Sequence, residues 1–269
     1  MRNRTDRTPT PPLEISEAEL VEMTRDLEAV HQDVSLPALQ QSVEQWVETN
    51  HEAAGPRRAS RRSFLLGSGA AAVGGVLLAA CGSSSSSGSG ATTTVGGKLS
   101  SLTGDLKVAA LAASLENLGV YAYNAGIQAA TAGRLGSVPP AVVTFAQTAM
   151  AQHTQHAEAW NAVLTGAGKA KVTVTDPALT PTVNQMFSQV TDVPGLARLA
   201  LTIENVAAQT YQAGIGVLSS SQALATAATI QPVEMQHAAI LNFVLGNYPV
   251  PNAFNPTTDA RPVSDLDGS

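Results

Sequence analysis

The chain has 269 residues, of which 13% are charged, 4% aromatic and 44% hydrophobic. Soluble domains average about 25% charged residues, so the apolar content here comes mainly from Ala, Val and Leu, which favours Ala-rich helices over a β-sandwich with an aromatic core. A net charge of −6 argues against nucleic-acid binding, and one cysteine excludes an internal disulfide framework and any all-cysteine metal or iron–sulfur site.

The charge is unevenly placed. Residues 1–62 carry 8 of the 15 basic and 11 of the 21 acidic side chains, and Ser63 to Cys81 carry none. The first zone, residues 1–56, reads as a charged helical extension. Ser16-Glu17-Ala18-Glu19 forms a capping box that opens a helix with Leu20, Met23, Leu27 and Val30 on one face. Ser35 is expected to cap a second helix, with Leu39, Val43, Trp46 and Val47. Such a pair suits a cytoplasmic hairpin or a partner-binding element, with Met23 as an alternative start of the chain.

Residues 57–81 have the order of an export signal: basic, apolar, then small residues. The apolar run, Phe64 to Ala80, is 17 residues and glycine-interrupted, at the short end for a membrane span. Ser60-Arg61-Arg62-Ser63-Phe64-Leu65 resembles the twin-arginine translocation motif, and Leu78-Ala79-Ala80-Cys81 resembles a bacterial lipobox. These resemblances imply export of a folded protein by the twin-arginine machinery. They also imply a membrane anchor through lipid on Cys81, on the outer face of the cytoplasmic membrane, with residues 1–56 removed. The alternative is an uncleaved single-span anchor with a cytoplasmic N-terminus. Residues 82–97 are a Gly/Ser/Thr linker.

Residues 98–250 contain a duplication. Leu111 to Asn117 matches Leu199 to Asn205, continuing through Tyr123/Tyr211 and Gly126/Gly214; Gln155-His156-Ala157 matches Gln236-His237-Ala238. The blocks have helix length and are separated by Gly133, Gly136, Pro139 and Pro140, by Gly166 and Gly168, and by Ser219 to Ser221. Asp192-Val193-Pro194 is expected to cap the third block, and Pro232 to kink or restart the fourth. Residues 169–192 form the longest connection, with a short helix expected near Thr182 to Gln189. The fold expected is all-α: a four-helix bundle of two repeated hairpins with one longer crossover connection. Residues 251–269 are a Pro-containing tail.

From residue 82 onward there are four glutamates and three histidines, and all but Glu158 fall at repeat-matched positions: Glu116 and Glu204, His153 and His156, Glu234 and His237. The pairs 153/156 and 234/237 are spaced i, i+3, so each projects from one helix face. Lys98, Lys107, Arg134, Lys169, Lys171 and Arg198 all lie near predicted helix ends, leaving no cation for three inward carboxylates. Burying an unpaired carboxylate costs several kcal/mol or forces protonation. A divalent metal removes that cost, and a hydrogen-bonded network of the glutamates, histidines and tyrosines is the metal-free alternative.

A lone Glu, a Glu-x-x-His pair, a second lone Glu and a second pair, one from each helix, is the pattern that this sequence resembles: that of ferritin-like di-iron carboxylate proteins, and in particular exported bacterial ferritin-like domain proteins. The resemblance implies that Glu116 and Glu204 are terminal ligands, that Glu234 bridges, and that His156 and His237 each bind one metal. The sequence departs at His153, where the pattern has a bridging glutamate. Three outcomes follow: an asymmetric di-metal centre bridged by Glu234, a single metal held by Glu204, Glu234, His237 and His153, or a metal-free site. Tyr123 and Tyr211, two turns beyond Glu116 and Glu204, are expected to donate hydrogen bonds to the carboxylates, to act as redox-active neighbours, or only to fill the core.

A nitrogen–oxygen site without thiolate suits iron, one or two ions, or else manganese or zinc. Expected chemistry is oxidation of Fe(II) or consumption of peroxide, which leaves open whether the protein is an enzyme. The competing expectation is a metal-free helical envelope domain that binds a partner.

Overall fold

The computed structural model describes residues 16–53 and 99–268, and every regular element among them is helical. Helix α1 (Glu17–Val30) starts at the predicted capping box: Ser16 Oγ accepts from the Glu19 N–H, and Glu19 Oε2 accepts from the Ser16 N–H at 2.9 Å. The break expected at Ser35 is absent. The chain runs through one π-helical turn, His31–Ser35, directly into α2 (Leu36–Ala53). The turn has a physical use. At about 100° per residue, the steps from Leu27 to Leu39 would carry the apolar face round by roughly 120°, and absorbing one residue in a π-turn cuts this to roughly 20°. Leu20, Leu27, Leu39, Val43 and Trp46 are thereby all buried, whereas Val30, expected on that face, is exposed.

Four longer helices follow: α3 (Gly104–Thr131), α4 (Pro140–Gly166), α6 (Val193–Ile215) and α7 (Ser221–Val244), with short α5 (Thr180–Ser188) inside the crossover. Their limits follow from the turn signals. Gly133 and Gly136 take positive φ after α3, Pro140 opens α4, and Asp192 Oδ1 accepts from the Gly195 N–H at 2.7 Å to cap α6. Pro232 removes one helical hydrogen bond from α7 without ending the helix.

The crossover lets α6 begin beside the end of α3, where Gly126 faces Leu196 and Ala129 packs near Val193. The two helices therefore run antiparallel: Tyr211 reaches back to Glu116, and Tyr123 reaches Glu204. The crossover lies along α3, held by Asn117 Nδ2, which donates to the carbonyls of Val172 (3.0 Å) and Val174 (3.1 Å), and by Asn161, which bonds both the N–H and the carbonyl of Val172.

The α1–α2 helix covers the other flank, along α4 and α7. Leu20 and Leu27 pack with Phe145, Ala149, Ile240 and Leu241; Leu39, Val43 and Trp46 pack with Trp160, Leu164, Ala227 and Ile230. Ser42 Oγ lies 2.9 Å from Thr226 Oγ1, and a Cβ on Gly166 would stand 2.6 Å from Val47 Cγ2. The C-terminal segment also folds back: Arg261 N–H donates to Thr210 Oγ1 at 2.9 Å, and Leu266, in a closing 3-10 turn, is buried in the core. Arg61, Arg62 and Cys81 lie outside the described residues. No helix among the described residues is long and apolar enough to cross a membrane.

Candidate metal centre

The structure brings all six sequence-predicted ligands together at the centre of the bundle. Glu116 comes from α3, His153 and His156 from α4, Glu204 from α6, and Glu234 and His237 from α7, each at most 1% exposed. They form two overlapping sets able to hold a metal: Glu116, His153, His156 and Glu234, and His153, Glu204, Glu234 and His237. Glu234 and His153 belong to both. Glu158, the repeat-unmatched glutamate, is exposed.

His153 stands between the lone glutamates. Its Nδ1 is 2.8 Å from Glu116 Oε2 and its Nε2 is 3.2 Å from Glu204 Oε1. Donation at both nitrogens requires an imidazolium. The room for the ring comes from Gly119, one turn after Glu116: a Cβ there would lie 2.8 Å from His153 Cγ. His237 Nδ1 lies 3.3 Å from Glu204 Oε2.

Glu234 differs from the other two carboxylates. Both of its oxygens are buried without a hydrogen-bond partner. His156 Nδ1 is 2.9 Å from Glu234 Oε1, but the pair is misaligned, and that nitrogen is also buried without a partner. Native interiors leave few polar atoms in this condition. Against burial, Glu116 and Glu234 raise the His156 imidazole above its ordinary value. A carboxylate with free lone pairs beside an imidazole nitrogen that can shed its proton is what a divalent cation would take up, so the residues fit a metal.

The tyrosines lock the site across the repeat. Tyr211 donates to Glu116 Oε1 at 2.5 Å and accepts from Trp160 Nε1 at 2.8 Å, while Tyr123 donates a short hydrogen bond to Glu204 Oε1. Each glutamate is thus oriented by the tyrosine of the other repeat. Burial and the facing carboxylates, Glu204 for Tyr123 and Glu116 for Tyr211, push both phenols well above their ordinary range.

Electrostatics bind carboxylates and imidazoles into one charge system. Burial opposes ionisation of Glu116, but His156 and His153 outweigh it and hold the carboxyl at about 2. Glu204 is held low against burial by His237 and His153. Burial likewise opposes the imidazolium of His153, which Glu234 and Glu204 raise well above its usual range; Glu204 lifts His237 to about 9.

Three contributors escaped sequence reasoning. Gln152 Oε1 lies 2.8 Å from His237 Nε2, and Gln152 Nε2 donates to Glu28 Oε2 on α1 at 2.7 Å. His31, in the π-turn, is buried against His156 with ring centroids 5.3 Å apart, and its Nε2 donates to Gln155 Oε1 at 2.8 Å. Burial and His156 push the His31 imidazole down to about 4, so it is neutral. A signal existed: Glu28-Ala29-Val30-His31 has the same i, i+3 spacing as Glu234 and His237.

A four-helix bundle with a buried carboxylate–histidine cluster and one long crossover defines the class of ferritin-like proteins. Residues 104–247 match the ferritin-like domain family, and the chain belongs to it. No curated protein and no solved structure gives a significant match.

Proposed function

We propose that the protein is a ferritin-like metal-binding protein with an asymmetric centre for two iron or manganese ions, tethered to the outer face of the cytoplasmic membrane through lipid on Cys81. The observation that carries the metal reading is Glu234, which belongs to both ligand sets and whose two buried oxygens face His153, His156 and His237 yet have no hydrogen-bond partner. Glu116 and His156 would hold one ion, Glu204 and His237 the other, with Glu234 common to both. Bound iron would supply oxidation of Fe(II) by dioxygen or peroxide; manganese would supply peroxide disproportionation.

The chain's own residues prepare the site for this. Tyr123 and Tyr211 fix the glutamates by hydrogen bonds, and complete burial keeps bulk water from the ligands. An apolar cavity of about 50 Å³ borders Tyr123 and Phe145. An apolar space of this kind suits a small apolar molecule such as dioxygen. The tether rests on the sequence of residues 57–81 alone.

A second reading, a metal-free domain that binds a partner, has its own support. The His153 imidazolium bridging Glu116 and Glu204 neutralises part of the cluster without an ion. Metal analysis of the full chain purified from cytosol, alongside His237→Ala, separates the two. Two metals per chain are expected in the parent and one or fewer in the variant. Background metal in both, with equal thermal stability, removes the metal reading; one metal in the parent points to a single site on His153, Glu204, Glu234 and His237.

A further inference from the structure

The family match starts at residue 104, yet the N-terminal helix reaches the ligand shell. The contact is specific. Gln152 lies on α4 one residue before His153, fully buried, with its side-chain oxygen on His237 Nε2 and its side-chain nitrogen on Glu28 Oε2. The second carboxylate oxygen of Glu28 accepts from Gln32 Nε2 at 2.8 Å, which holds the carboxylate in place.

A side-chain amide can be turned end for end, and by itself Gln152 could offer either oxygen or nitrogen to His237. Glu28 removes that freedom. A carboxylate only accepts, so it takes the amide N–H₂, and the amide oxygen must then face His237. An amide oxygen also only accepts, so His237 must carry a proton on Nε2. With the Nε2 proton kept by the amide oxygen, Nδ1 is the nitrogen that gives up its proton and offers its lone pair when a metal binds, and Nδ1 is the nitrogen that points at Glu204 and Glu234. The reversed amide would place N–H₂ against Nε2, favour the other tautomer, and put a proton where the ion must bind.

We infer that Glu28 is a positioning residue for the metal centre: through Gln152 it fixes the proton of His237 on Nε2 and turns Nδ1 towards the ion. The helix that precedes the family domain is therefore part of the site. This inference rests on the metal reading above for its purpose, but the hydrogen-bond relay is a property of the chain itself. Outer hydrogen bonds of this kind are worth about 10–100-fold in metal affinity.

The test uses the full chain and zinc alone as probe, with two readouts. The first is zinc affinity by chelator competition. The second is the His237 Nε2–H proton signal in metal-free protein near neutral pH, which a good acceptor shifts downfield and protects from exchange. Glu28→Gln is expected to weaken zinc binding about 10–100-fold and to lose the protected proton. The double variant Glu28→Gln/Gln152→Glu puts an obligate acceptor next to His237 and a donor at position 28, so it should recover both. A Glu28→Gln chain with parental affinity and an intact proton signal overturns the inference, as does a double variant that recovers neither. A parent that binds no zinc but whose proton signal responds to Glu28→Gln retires the metal reading and leaves the relay standing.

Discussion

Gly119→Ala gives a sharp test of how the centre is packed. In an unconstrained helix interior this change is worth about 0.5–1 kcal/mol in favour of alanine. Here the added Cβ would lie 2.8 Å from His153 Cγ and 2.9 Å from both Cδ2 and Nδ1. Carbon atoms prefer about 3.5–4.0 Å, so ring and helix must part by roughly 0.6–1.2 Å. The ring cannot simply withdraw, because its two nitrogens are committed to Glu116 and Glu204. Overpacking of this kind costs about 1–3 kcal/mol, which outweighs the propensity gain. A net loss of about 1–2 kcal/mol lowers the midpoint of thermal unfolding by about 2–8 °C in a domain of this size.

The clash is with one ring, so it has a specific rescue. In a His153→Ala background, Gly119→Ala should become neutral or stabilising, giving a coupling of about 0.5–3 kcal/mol in a double-mutant cycle followed by calorimetry. Because His153 belongs to both ligand sets, the single variant should also bind less metal. An unfolding midpoint equal to or above the parent's would refute the reasoning, as would additive effects in the cycle.

Three further outcomes follow from the same geometry. The stability of the metal-free protein should peak near pH 6.5. The His237 contribution is complete below its ordinary value of about 6.5 and is lost as pH rises through about 9. His31, pushed down to about 4, removes stability as pH falls from 6.5 to 4, and Glu116 removes more from about 4.5 down to 2. A flat profile from pH 4 to 9 in thermal melts would contradict this. Metal binding must release the imidazolium protons, so affinity in buffered titrations should rise with pH up to about 9. Tyr211→Phe should destabilise more than Tyr123→Phe in denaturant titrations, because it strips partners from both Glu116 and Trp160, at about 1–3 kcal/mol for each buried group left unpaired; equal losses would refute the ordering.

How legible this was from sequence depended on contrast. The repeat offsets placed the four bundle helices and their caps, and Asp192 and the glycines at 133 and 136 act as read. The six ligands stood out because residues 98–250 contain few other ionisable groups, and all six converge. Gln152 carries no charge and lies outside the repeat match, so nothing marked it. The π-turn was invisible for a different reason. A 3.6-residue period breaks there, and the break reads as the end of one helix and the cap of the next. That reading hid His31 inside the supposed turn and divided one long wall of the molecule into a hairpin.

The long wall also bears on the reading of residues 57–81 as an export signal. Leu20, Leu27, Leu39, Val43 and Trp46 are buried against α4 and α7, each worth roughly 1.5–3 kcal/mol if fully removed from water. A chain that leaves residues 1–56 on one side of a membrane and carries the bundle to the other must give up this whole face, including Glu28. Cleavage before Cys81 makes the same demand unless the severed helix stays bound. Loss of the helix would uncover Trp160, Leu164 and Ile230, an apolar strip that needs a new occupant. On the proposed lipid anchor, the packed helix and the anchored chain are different states unless the severed helix stays bound, and mass analysis of the mature form tests which state persists. Recovery of a chain beginning at Cys81 with no α1–α2 fragment attached predicts weaker metal retention than in the full chain; equal retention by the two forms would show that the helix is dispensable to the centre.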